Sequence, residues 1–265
     1  MQIYSCRLCG NKLTHLFNKR VLQKYSVGYF SCSGCYSLQT EPPYWLEESY
    51  AHHMSSLDTG AAQRCLINFA ACLFLAKLFN ISSSIDVGGG DGLLCRLLRD
   101  KNIKSYVSDA YAQISYAQGY DSCNLATAEL ISAFEVVEHF ENPKNDFAAI
   151  FKDRPRAVII STMPYEGQSE EWWYLTPESG QHIFFYSAEA FQLLAHKYNY
   201  EILFAGAYII FVKEDELTPL KKLWIKLILK NKILKILLAY LMLTSSPGIA
   251  CDYLDRLHNL KSKSE

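Results

Sequence analysis

The chain has 265 residues, 50% of them hydrophobic and 20% charged, which supplies a full core and excludes a disordered chain. Lys and Arg number 26 against 27 Asp and Glu, a formal charge of -1 that argues against a general polyanion binder, so no nucleic-acid partner is expected. The opening Met1-Gln2-Ile3-Tyr4-Ser5-Cys6 lacks the basic and apolar run of an export signal, and no stretch reaches about 18 uncharged apolar residues. Nine cysteines scattered through apolar segments then point to a reducing cytoplasm and exclude a secreted disulfide scaffold.

Four of those cysteines form a pattern at the N-terminus. Cys6-x-x-Cys9 and Cys32-x-x-Cys35 are two knuckles with turn glycines at Gly10 and Gly34. Two residues between thiolates let both sulfurs face one ion, and four soft ligands suit a closed, tetrahedral, structural Zn2+ site. The competing redox reading has no thioredoxin-like context for either copy. Cys65, Cys72, Cys95, Cys123 and Cys251 sit singly, as buried cysteines do. Residues 1–40 are therefore expected to form a zinc ribbon that takes no direct part in chemistry.

An aromatic, Pro-rich linker follows (Pro42, Pro43, Tyr44, Trp45, Tyr50), then a helix capped by Ser56 or Asp58, with an apolar face from Cys65 to Phe79, closed by Ser82-Ser83-Ser84. From there to Lys213 short strand runs alternate with helix-length segments, the signature of an α/β sheet. Ile85-Asp86-Val87 reads as the first strand and runs into Gly88-Gly89-Gly90-Asp91-Gly92 and a helix from Leu93. Glycines there let the backbone turn tightly and approach a ligand at a helix N-terminus. A dinucleotide fingerprint needs Gly or Ala where Leu93 or Cys95 stands. Ser105 to Asp109 is a second strand ending in an acid, which can hold ribose hydroxyls or cap a helix. Tyr120-Asp121-Ser122 is expected to end a third strand.

Strand four, Leu130 to Val136, carries Glu135 at its end and leads into Val137-Glu138-His139-Phe140. Ionisable groups clustered at that edge are hard to explain by packing, because buried carboxylates are costly unless partnered. Glu138 or Glu141 can cap the next helix, which runs through Asp146 to Lys152. His139 is placed to take a proton. Strand five, Ala157 to Thr162, opens a long aromatic loop from Met163 to Ser187, of a length that marks a lid or binding loop, although any single ring there can simply cover the sheet. Ser187 caps a helix from Ala188 to Tyr198, and Tyr200–Ala205 with Ala207–Lys213 form a hairpin turning at Gly206. Seven strands are expected, the last antiparallel to the rest.

Acid-x-Gly-x-Gly-x-Gly from Asp86, with Glu135-x-x-Glu138-His139, resembles the class I S-adenosylmethionine-dependent methyltransferases. The likeness is to the EVxEH subfamily of ubiquinone-biosynthesis and sugar-modifying enzymes. Gly180, His182, Tyr186 and Ser187 are similar to a Gly-x-His-x-x-x-Phe/Tyr-Ser pattern over that subfamily's substrate pocket. The resemblance implies a doubly wound, seven-stranded Rossmann-like sheet over 41–213. It also implies cofactor-binding roles for Asp86, Gly88, Gly90, Asp91, Asp109, Glu135 and Tyr50, with His182 and His139 as candidate bases, His182 ahead. Tyr44 and Trp45 join Tyr50 as rings able to fold onto the cofactor. The implied reaction is methyl transfer to a hydroxyl or carbon of a sugar, nucleotide sugar, glycan or related small molecule. A nucleotide-cofactor oxidoreductase and a non-catalytic zinc-ribbon binding module are the alternatives. The large C-terminal domain of related C-methyltransferases is missing, which favours O-methylation.

Residues 214–265 are expected to form a helical tail. Between Glu216 and Asp252 lie six lysines (221, 222, 226, 230, 232, 235) and no acid, so the remainder holds 20 basic against 27 acidic residues. The spread of lysines over Leu220 to Leu243 predicts two short helices broken near Asn231. Such a segment can pack on the domain or a partner subunit, or lie on the inner membrane surface. His15, His52, His53, His196 and His258 are expected to be structural or exposed.

Overall fold

The computed structural model describes residues 5–50, 60–121, 128–243 and 247–254. Strands β1 (Leu13–Val21), β2 (Tyr25–Cys32) and β3 (Leu38–Thr40) form an antiparallel meander, followed by a single turn, α1 (Leu46–Ser49). This ribbon does not stand alone. Its fourth strand comes from far downstream in the chain, as shown below.

Helix α2 (Ala61–Phe79) starts after Gly60 and stops where Asn80 turns left-handed at φ +50°. The stop is Asn80 and not the serines, two of which open strand β4 (Ser83–Val87). The caps expected at Ser56 and Asp58 lie outside the described residues, as do Ser122, Cys123, His52, His53 and His258. Among the described residues α2 is the one helix long and apolar enough to cross a membrane, but Phe69 to Phe79 are largely buried in the core. Then come α3 (Leu93–Arg99), β5 (Lys104–Ser108), β6 (Leu130–Phe134), α4 (Pro143–Phe151), β7 (Ala157–Ser161), β8 (Phe184–Phe185), α5 (Ala188–Tyr198), β9 (Tyr200–Ala205) and β10 (Tyr208–Lys213).

The central sheet runs β5-β4-β6-β7-β10-β9, with β10 antiparallel to both neighbours and the β4, β5, β6 and β7 pairings parallel. It holds six strands among the described residues, not seven. Where the third strand was expected, Tyr120 accepts one bond from the Val107 amide (3.0 Å) just after Gly119 at φ +79°, Tyr120 and Asp121 are not in a strand, and residues 122–127 lie outside the described ones. Every residue of β7 is buried, as befits a strand covered on both faces. Ile159 faces α2, α3 and the tail, while Val158 and Ile160 face α4, α5 and the cysteine knuckles. The β4–β5 and β4–β6 pairings lie on opposite sides of β4, so the carboxyl ends of β4 and β6 flank the switch-point crevice where such sheets bind ligands.

β8 is the fourth strand of the ribbon, antiparallel to β3. Ser187 caps α5 by accepting the Ala190 amide (3.0 Å) and donates its hydroxyl to the Cys35 carbonyl (2.6 Å). The Arg7 guanidinium donates to the Ile183 carbonyl (2.5 Å). The loop after β7 is therefore ordered and sewn to the ribbon. Neither Glu138 nor Glu141 caps α4: Asn142 does, accepting from the Asn145 amide. The hairpin turns at Gly206 as expected. Beyond it, α6 (Pro219–Lys230) and α7 (Lys232–Leu243) break at Asn231, whose side chain accepts the Ile233 and Leu234 amides. A last helix spans 248–254.

Candidate functional site

β4 delivers the chain into the glycine loop. Gly88 adopts φ +66°, and a Cβ there would lie 2.4 Å from Val136 Cγ2, so the loop packs directly on the tip of β6. Gly90, at φ +58°, has nothing within 4 Å of an added Cβ. That open face, walled by packed neighbours, fits a cofactor approaching the backbone. Asp86 is buried beneath it, accepting the Ser132 hydroxyl (2.7 Å), and burial pushes its carboxyl up to about 7. A carboxyl raised in this way favours the folded state when protonated, and that contribution is lost as pH rises from the ordinary carboxylate range through about 7. A cationic group bound nearby offsets the cost.

Asp109 reaches across from the end of β5. Its Oδ2 accepts the Gly90 amide (2.9 Å), and Oδ1 accepts the Tyr111 (2.9 Å) and Ala112 (2.8 Å) amides. These bonds close a turn, since no helix begins between Asp109 and Asp121, and Oδ2 keeps a lone pair beside the open face of Gly90. Asp91 accepts the Leu93 amide at the start of α3. Tyr50 stacks on Tyr111 (centroids 3.9 Å, interplanar angle 4°), and its hydroxyl meets His139 Nδ1 at 2.9 Å. Trp45 is buried and donates to the Gly180 carbonyl (2.8 Å), while Tyr44 is exposed, so neither joins the site.

At the end of β6, Glu135 takes φ +54°, a left-handed backbone unusual for Glu. That twist sets its carboxylate against Ser161 Oγ (2.6 Å) and the Tyr174 hydroxyl (2.8 Å). Glu138 is fully buried one short turn later, and Tyr174 reaches its Oε1 at 2.6 Å. Burial and the Glu135 charge push the Glu138 carboxyl up to about 8. A phenol has one proton, so one of the two short contacts is made by a carboxyl proton. Sequence reasoning did not single out Tyr174, whose hydroxyl bridges these two acids.

The His139 and His182 rings lie 5.0 Å apart. His182 Nδ1 meets the Tyr174 carbonyl at 2.7 Å; a carbonyl only accepts, so Nδ1 donates and Nε2 carries the lone pair. That Nε2 is 3.9 Å from Glu138 Oε1. Burial lowers both imidazoles, His139 to about 3, which keeps them neutral. Of the rest of the Gly180 pattern, Tyr186 donates to the Val137 carbonyl (2.9 Å) and Ser187 caps α5, so both are structural. His15 and His196 are exposed.

Among the described residues two groups can hold a metal. The sulfurs of Cys6, Cys9, Cys32 and Cys35 lie within 4.8 Å of one another, with Cys6–Cys35 at 3.7 Å and Cys9–Cys32 at 3.4 Å. Zn–S bonds of about 2.3 Å give a tetrahedron with edges near 3.8 Å, so the sulfurs fit the ion. The Gly34 and Cys35 amides and the Asn11 side chain point at these sulfurs. The second group is Glu138, His139 and His182, whose ligand atoms also lie within 4.8 Å of each other.

A family model described as a methyltransferase domain matches residues 51–204. The chain belongs to this family of S-adenosylmethionine-dependent methyltransferases, and its α/β sheet is that of the class. Similar solved structures include the methyltransferase domain of bacterial CtHen1 (19% identity, TM-score 0.43, covering 56% of this chain and 97% of that one). Magnesium protoporphyrin IX methyltransferase of Synechocystis PCC 6803, with bound SAH, is 14% identical (TM-score 0.44, 65% and 98% covered). Human N-acetylserotonin methyltransferase with SAM is 10% identical (TM-score 0.40, 64% and 65% covered). No curated protein matches the chain.

Two outcomes are expected. Calorimetry with S-adenosylmethionine should show no binding for Gly90→Arg, whose side chain fills the open face, and a loss of about 2 kcal/mol for Asp109→Ala; unchanged affinity in both contradicts the cofactor assignment. Metal analysis of protein purified without chelator should find zinc bound to the ribbon, lost in Cys6→Ser and Cys35→Ser with new protease cleavage near the N-terminus. Metal-free wild-type protein contradicts the zinc assignment.

Proposed function

We propose that this methyltransferase acts on a hydroxyl of a sugar, nucleotide sugar, glycan or related small molecule, with the ribbon held by a structural zinc. The supporting observation is the setting of His182. The Tyr174 carbonyl fixes its tautomer, and its Nε2 lone pair lies beside His139 at the carboxyl edge of the sheet. His139 connects through Tyr50 and Tyr111 to the Asp109 and Gly90 corner, so acceptor side and donor side meet here.

S-adenosylmethionine supplies a methyl group on a sulfonium. The chain's own residues do the rest. The glycine loop, Asp109 and Tyr50 position the donor, and the ordered aromatic loop encloses the acceptor. His182 Nε2 takes the hydroxyl proton as the oxygen attacks, and the charge of Glu135, which favours the protonated ring, steadies the imidazolium. General-base assistance of this kind contributes about 10²–10⁴-fold in rate.

A second reading is favoured by one atom: Glu138 Oε2 is buried and has no hydrogen-bond partner among the described residues. Glu138, His139 and His182 would hold a divalent cation that satisfies this oxygen and would supply Lewis acidity toward the acceptor hydroxyl in place of a base. Assays with labelled donor and a panel of nucleotide sugars and glycans separate the readings. If His182 is the base, His182→Ala keeps donor affinity and loses about 10²-fold or more in turnover. His139→Ala then loses less, and chelator has no effect. If a cation acts, both variants fail alike, chelator stops turnover, and added Mg2+ or Mn2+ restores it. Near-wild-type turnover in both variants contradicts both readings.

A further inference from the structure

Each of the two tail helices turns one face to the domain and leaves an apolar face outward. In α6, Ile225 and Leu229 are buried against the sheet side that also receives α2, and Thr218 caps the helix. The other face is Leu220, Leu223, Trp224 and Leu227, at spacing i, i+3, i+4, i+7, all exposed, with Leu220 at 63%. In α7, Lys235 is buried, with its ammonium 4.7 Å from the centre of the Tyr208 ring, and the helix packs on α2 and α6. Its outer face is Ile233, Ile236, Leu237 and Tyr240, at the same spacing, with Ile233 at 76% and Tyr240 at 69% exposed. The last helix is clamped to α3 by Asp252, which accepts Arg99 through both oxygens at 2.7 Å and also pairs with Arg96. It too leaves Ile249, Tyr253 and Leu254 exposed.

Two consecutive helices with the same outward stripe are not scattered surface leucines. Exposed apolar surface on this scale marks an interaction site. Charge decides the partner. In this stretch without acids, the Lys226 and Lys230 side chains are exposed beside the α6 stripe, whereas Lys222 pairs with Glu201, Lys221 bonds the Glu216 carbonyl and Lys235 is buried. A second copy seated symmetrically on this face sets lysine against lysine. An anionic lipid surface instead takes the apolar stripes into its interface and the ammonium groups among its headgroups, with Trp224 and Tyr240 at the depth where amphipathic rings rest.

We infer that the outer faces of α6 and α7 form a peripheral docking surface for an anionic phospholipid membrane, orienting the methyltransferase on it. The full chain is the material for the test. Co-sedimentation uses vesicles of phosphatidylcholine mixed with phosphatidylglycerol, and vesicles of phosphatidylcholine alone, at about 0.1 M and about 0.5 M salt. Wild type should pellet with the anionic vesicles, weaken with salt, and stay soluble with neutral ones. Leu223→Ser with Ile236→Ser should lower the partition coefficient about tenfold or more, and Lys226→Glu with Lys230→Glu should do likewise. All four positions are exposed, so thermal unfolding and donor affinity should match wild type. Three results overturn the inference: wild type remaining in the supernatant, equal binding to neutral vesicles, or a dimer in light scattering that the serine substitutions dissolve.

Discussion

Glu138 carries a carboxyl group with no exposure to solvent, and its partners set the shape of the functional edge. An isolated buried carboxylate is too costly to keep, so it must be paired or protonated. Tyr174 answers that need from the loop, bridging Glu138 and Glu135, while Thr162 lies 3.2 Å from the same phenol. The Glu138 carbonyl accepts the Ile183 amide (2.9 Å), and Ile183 opens into β8. One buried acid thereby ties the tip of β6, the aromatic loop and the cysteine ribbon together. His182 has its orientation because Tyr174, its carbonyl partner, is held there.

The same constraint gives the ribbon a mechanical role in the fold. β3 accepts β8 as an edge partner, Ser187 bonds the Cys35 carbonyl, and Arg7 bonds the Ile183 carbonyl. Four thiolates closed on an ion would brace these contacts from the far side without approaching the reaction. The tail acts on the opposite face of the sheet, where α6 and α7 cover α2 and β9, and turns its second face outward.

Local signals in the sequence account for much of this arrangement. Ser187 as a cap, Gly206 as a hairpin turn, Asn231 as a break and the glycine corner after Asp86 are each decided by a residue's own backbone chemistry, and each is found in place. The convergence of His139 and His182 follows from strand-end placement in a doubly wound sheet. What depends on distant partners was hidden. Tyr174 is one aromatic among many, and its importance rests on acids 36 and 39 positions away. β8 is two phenylalanines long and is a strand only because β3 is there to pair with it. Asn142 takes the cap for which Glu138 was a candidate, because Glu138 is turned inward. One cue was available: a carboxylate pair at a buried strand end requires a hydroxyl or cation, and the aromatic loop was the nearest source.

The most direct measurement is Tyr174→Phe, with donor affinity, methyl transfer and loop proteolysis followed on the same preparation. Removing the hydroxyl leaves Glu135 and Glu138 facing each other without a bridge, so the loop and His182 lose their anchor while the glycine corner stays intact. The predicted result is donor affinity near wild type, turnover lowered about 100-fold, as expected for a displaced base, and faster cleavage between Met163 and Ser187. Wild-type turnover with an unchanged cleavage pattern contradicts the claim that the buried acid pair and Tyr174 organise the site.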